Sequence, residues 1–172
     1  MASLMEVLID ILEKESQEYE QLLALSMKKT PIIVSEDLDA LSQITDEEQL
    51  VASRITNLDN QRMAVIKDIA NVTNKDVESL KLANIIEMLA NRPQESGKLA
   101  EVHDKLKIVL GSMQQVNEQN RELIAHSLEM VEFDMNLLQA MKTAPETANY
   151  NKGAYSAGDV MGDGSGGFDA KS

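Results

Sequence analysis

Apolar residues recur along this chain at alternating intervals of three and four, the period of one helix face. Leu4, Leu8, Ile11, Leu12, Tyr19, Leu22, Leu23 and Met27 mark a first helix over about 3–29, with Lys28 and Lys29 in its last turn. Pro31 is expected to end it, because the residue before a proline avoids the helical region. Ser35, followed by Glu36 and Asp37, reads as the N-cap of a second helix over about 35–71. Its seam runs Leu38, Leu41, Ile44, Val51, Ile55, Leu58, Val65 and Ile69. Thr45–Glu48 offers a capping box where that helix could restart, but the spacing favours one continuous helix. Val77, Leu80, Leu82, Ile85, Ile86 and Leu89 predict a short helix at about 79–91, closed by Arg92-Pro93.

The longest pattern lies further on, in a helix over about 95–142. Positions 99, 102, 106, 109, 113, 116, 120, 123, 127, 130, 134, 137 and 141 keep strict three-four spacing, and ten of the thirteen are apolar. Heptads sustained this far specify a long helix in a left-handed coiled coil. The fold class expected is all-α: an elongated antiparallel helical bundle or coiled coil, one helical domain over 1–142, with one very long C-terminal helix. Residues 143–172 hold six of the eight glycines and no apolar period, so they are expected to form a disordered tail.

Polar residues interrupt the seams at few places. Glu48 and Arg62 fall two heptads apart, roughly 21 Å, too far to pair with each other. Each meets a group on a neighbouring helix, snorkels to water, or is solvent-exposed. Asn120 occupies the last seam and Asn117 lies just before it. A seam asparagine fixes register at some loss of stability, and the alternative for Asn120 is solvent exposure at a frayed layer.

At 1.5 Å per residue the first two helices span about 40 and 55 Å and the last about 70 Å, so its seam outruns what they can cover. There a second apolar row, Ile124, Leu128, Val131, Met135 and Leu138, runs beside Leu123, Met130, Leu137 and Met141. Such a stripe is wider than a two-helix seam requires and must be buried in a bundle, a dimer or a partner. Its methionines suit a surface that accepts varied apolar shapes, or fill an ordinary core.

Charge and composition narrow the partners. The formal net charge of −13 argues against nucleic acid and anionic membrane surfaces, whereas a protein with a neutral or basic face remains open. Aromatics make up 3% and cysteine is absent, which suits helix-on-helix packing and excludes disulfides and thiolate metal sites. No apolar run approaches the ~18 residues of a membrane helix, and the first residues lack a basic n-region, so no signal peptide or membrane insertion is expected. His103 and His126 have no partners at ligand spacing, and no P-loop, nucleophile motif or metal motif is present. No enzyme activity, metal or cofactor is expected. Tyr150, Tyr155 and Phe168 fall in the tail, where no core exists to bury them; they are docking anchors or chance occurrences.

The order of features is similar to the FlgN family of flagellar type III export chaperones. The resemblance rests on Tyr19-x-x-Leu22-Leu23, on Pro31 followed by Ile33-Val34, and on Asp37-Leu38-x-x-Leu41. It continues through Glu48-x-x-Val51-x-x-x-Ile55-x-x-Leu58-x-x-x-Arg62, Asn117-x-x-Asn120-x-x-Leu123-Ile124 and Tyr150-Asn151-Lys152-Gly153, covering roughly 1–155. It implies a cytoplasmic chaperone for hook-associated (hook–filament junction) proteins. The end of the last helix, from Leu123 to Met141, would hold a helical terminal segment of the client. A tail tyrosine, Tyr150 or Tyr155, would dock on the export gate. A coiled-coil homodimer or scaffold using the same seam for self-association is the rival expectation, and a homo-oligomer stays open.

Overall fold

The computed structural model of the chain describes residues 3–143. Four α-helices follow one another: α1 (Leu4–Val34), α2 (Leu38–Thr73), α3 (Leu82–Met88) and α4 (Pro93–Thr143), with a 3₁₀ turn at Val77–Ser79. No strand occurs among the described residues. Contacts divide the chain into Met1–Glu132 and Phe133–Ser172. The expected tail, with Tyr150, Gly153, Tyr155 and Phe168, lies outside the described residues.

The three long helices start at residues suited to a helix N-terminus, whereas α3 follows Lys81 with no side-chain cap. Ser3 caps α1 in a reciprocal capping box with Glu6. Asp37 caps α2 by accepting from the Ala40 N–H at 3.0 Å. Pro93 opens α4 at the first helical position, where a missing N–H is harmless and its fixed φ suits the helix.

Three helices differ in their bounds from the sequence expectation. Pro31 does not end α1, which runs one turn further to Val34. The extra turn buries Ile33 and leaves Thr30 in position to bond across to α4, and this tertiary gain outweighs the local preference. Ser35 is therefore not the cap of α2. Its hydroxyl donates to the Ile32 carbonyl at 3.0 Å, closing α1 instead. The predicted 79–91 helix contracts to α3 because Leu80 adopts a non-helical φ/ψ after the 3₁₀ turn.

Within Met1–Glu132 the chain runs up, down and up. Helices α1 and α2 form an antiparallel hairpin, along which Arg54 meets Glu18 and Lys29 meets Glu48. Helix α4 runs in the direction of α1: Leu99 and Val102 share a core with Leu8 and Leu12, whereas Asn120 bonds to Ser26. The main core joins the start of α1 to the end of α2 and the start of α4. Leu8, Leu12, Ile69, Ala70, Ile85 and Leu99 are its fully enclosed members. Helix α3 packs onto this core as a plug, inserting Ile85 with Leu80 and Leu89 to either side. The first seam positions of α4, Leu99, Val102, Leu106 and Val109, are all buried, as the heptad pattern requires.

Candidate functional site

About three turns of α4 separate Val109, the last buried apolar residue of its seam, from the buried Asn120. At Ser26 the three long helices meet through a polar layer. The Ser26 hydroxyl donates to Glu48 Oε1 at 3.2 Å, and Lys29 Nζ donates to Glu48 Oε2 at 2.7 Å. From α4, the Asn120 amide donates to the Ser26 carbonyl at 2.8 Å and its oxygen accepts from the Thr30 hydroxyl at 2.6 Å. Asn120 is only 4% exposed, so the solvent alternative does not hold. A buried amide with both ends bonded fixes how far α4 can slide along α1, since any other register leaves it unpaired. Asn117, one position off the seam, is exposed.

Arg62 also finds a partner on a neighbouring helix. It lies 3.3 Å from Glu15 of α1 and pairs with Asp59 of its own helix. Glu15 is 3% exposed, and its Oε1 and the Arg62 Nε face each other without hydrogen-bond alignment. Burial raises the Glu15 carboxyl above the ordinary carboxylate range; the Arg62 charge opposes this and the Asp59 charge adds to it. Desolvation, with the same carboxylate nearby, also raises the Tyr19 hydroxyl.

Beyond the polar layer the α1–α2 hairpin turns, and between its tip and α4 a groove of ≈ 290 Å³ opens. Its walls are Ile32, Ile33, Leu38 and Leu41 from the hairpin and Ile124, Leu128 and Val131 from α4, with Ser127 and Glu36 supplying the polar atoms. Leu128 is 64% exposed, although a helix facing its own hairpin has apolar neighbours available. Hydrocarbon walls of this kind take up apolar side chains through burial, with little capacity for covalent chemistry.

Of the expected partner-binding residues, Ile124, Leu128 and Val131 line this groove, Leu123 is half-buried beside it, and Met130 is exposed. Met135, Leu137, Leu138 and Met141 belong to Phe133–Ser172 and are all exposed, Met141 by 68%. Two contributors were not anticipated. The hairpin wall, Ile32, Ile33, Leu38 and Leu41, was readable as four apolar residues crowded around a turn where polar residues are usual. Phe133, exposed on the same stretch of α4, sits three residues after Met130 and four before Leu137.

Among the described residues no group of three or more His, Asp or Glu side chains is placed to hold a metal ion. No described helix is long and apolar enough to cross a membrane. The model of one protein family, described as FlgN protein, matches residues 1–156. No curated protein and no solved structure matches the chain.

Proposed function

Because the chain belongs to the FlgN family, whose members are flagellar export chaperones and not enzymes, we propose that it holds a helical terminal segment of a hook-associated protein on the end of α4. The observation that carries this reading is the exposure of nearly every apolar residue from Ile124 to Met141. An amphipathic helix laid along this stretch would remove several hundred Å² of apolar surface from water. At ~25 cal/mol per Å² the gross gain is on the order of 10 kcal/mol, before ordering and association losses. That is sufficient for reversible holding. It also covers the segment through which such subunits would self-associate, keeping the client unpolymerised in the cytoplasm until delivery.

Delivery falls to the tail, where Tyr150, Gly153 and Tyr155 are the docking residues that family resemblance suggests for the export gate. Leu128→Gln, Val131→Gln and Leu138→Gln together should abolish co-purification of hook-associated proteins while leaving the helical content intact. Undiminished co-purification overturns the assignment of the surface. Tyr150→Ala with Tyr155→Ala should lower client secretion with client binding retained, and normal secretion removes the gate role from both.

A further inference from the structure

The tip of the α1–α2 hairpin is closed by a Schellman motif. The Asp37 N–H bonds to the Ile32 carbonyl at 3.4 Å and the Glu36 N–H to the Ile33 carbonyl at 3.1 Å. The motif places its C′ residue in the left-handed region, and that residue is Glu36, with φ of 56°. Glycine or asparagine is usual there, because a Cβ crowds the following carbonyl. The chain follows that preference where α2 ends: Asn74 holds φ of 51° in the same bonding pattern, with the Lys75 N–H on the Ala70 carbonyl. At the hairpin tip the unfavourable residue is kept, and its side chain lines the apolar groove.

Glu36 has no structural task of its own. Its neighbour Asp37 caps α2, whereas the Glu36 carboxylate is exposed and forms no ion pair with any described residue. The surrounding charge is mainly acidic, with Arg121 at the near end of the α4 wall as the exception. Residues 35–48 carry six acids and residues 122–132 three, and neither segment contains Lys or Arg. On the α1 wall Lys29 is engaged by Glu48, and Lys28 lines a separate depression with Glu47 and Arg54.

Resting on the client-holding reading above, we propose that the groove at the hairpin tip selects a helix whose apolar face is flanked by Lys or Arg, with Glu36 as the residue that meets the cation at the groove mouth. A second copy of this chain is a poor occupant, because two surfaces with these acids would bring like charges together around the shared groove. A cation-flanked helix instead inserts its apolar side chains between Leu38 and Leu128 and places a positive charge against Glu36.

Two synthetic amphipathic helical peptides with one common apolar face, flanked by Lys in one and by Glu in the other, test this by fluorescence anisotropy with the full chain. The Lys-flanked peptide should bind at least about tenfold more tightly at low salt, with the ratio shrinking as salt rises. Glu36→Asn keeps the left-handed turn and should reduce the preference about threefold; Glu36→Lys should reduce it further. Equal binding of the two peptides, or a preference unchanged in both variants, overturns the proposal. If both peptides bind equally and Leu128→Asp abolishes that binding, the charge selection fails while the client-holding reading stands. If neither binds, both fail. A dimeric mass in light scattering that Leu128→Asp converts to a monomeric one also overturns it, by giving the groove to a second copy.

Discussion

Replacing Asn120 by alanine tests the polar layer directly. Alanine removes two hydrogen bonds at a site 4% exposed, one to the Ser26 carbonyl and one from the Thr30 hydroxyl. Each such bond contributes about 1 kcal/mol net. Part of the loss is recovered, because Thr30 already approaches the Ser26 carbonyl at 3.4 Å and can turn fully onto it. A further fraction comes from the space left by the amide, so the expected destabilisation is about 2 kcal/mol. Asn120→Leu differs in kind. It restores an unbroken apolar seam, and burial of the leucine offsets the lost bonds to within about 1 kcal/mol. The difference between the two variants separates pairing from packing. Urea unfolding followed by far-UV circular dichroism reads both, at constant m-value. Thr30→Val in the Asn120→Ala background should destabilise by less than Thr30→Val alone, because the shared bond is gone and only the replacement bond to the Ser26 carbonyl remains to be lost. An alanine variant within about 0.5 kcal/mol of the parent refutes the clamp.

Other outcomes follow from separate features. Glu36→Gly should stabilise the chain by about 0.5–1 kcal/mol in urea unfolding, since glycine relieves the left-handed turn; a loss of stability contradicts the strain. The raised Glu15 carboxyl means that the folded state holds this proton more tightly than the unfolded chain does. Its contribution is therefore full below the ordinary carboxylate range and is lost as pH rises through the raised value. Glu15→Gln, neutral at every pH, should gain stability relative to the parent as pH rises out of the ordinary carboxylate range and through the raised Glu15 value, and a constant or shrinking difference refutes this. Leu12→Ala, at a fully enclosed position beside Leu99, should lose about 2–5 kcal/mol. Leu128→Ala should stay within about 0.5 kcal/mol of the parent, because the side chain has little intramolecular packing to lose; a larger change, measured by the same unfolding, shows that the groove is internally filled.

Much of this architecture is legible in the chain because heptads report burial directly. Leu99, Val102, Leu106 and Val109 are buried where three-four spacing places them, and Asn120 is buried on the same seam. Glu48 and Arg62 both meet residues of α1, one of the outcomes the spacing left open for a charge on a helical seam. The misread points lie where local and tertiary preferences compete. Pro31 carries a strong local stop signal, and no local rule registers the burial of Ile33 or the Thr30–Asn120 bond that carries α1 past it. Ser35 resembles an N-cap in composition, but the Schellman motif shifts the cap two residues along, to Asp37. The groove was half legible: the α4 wall stands out as a surplus apolar row, whereas the hairpin wall required knowing that α4 runs in the direction of α1 and so passes the tip.

The division of α4 has an evolutionary consequence. Substitutions at Leu99 or Leu106 are screened by folding itself, in every cell, whatever the partner. Substitutions at Leu128 or Val131 largely escape that screen, because those side chains are exposed in the folded chain. One continuous helix therefore carries two rates of permissible change: the exposed stretch can vary without loss of the fold while the enclosed stretch stays fixed.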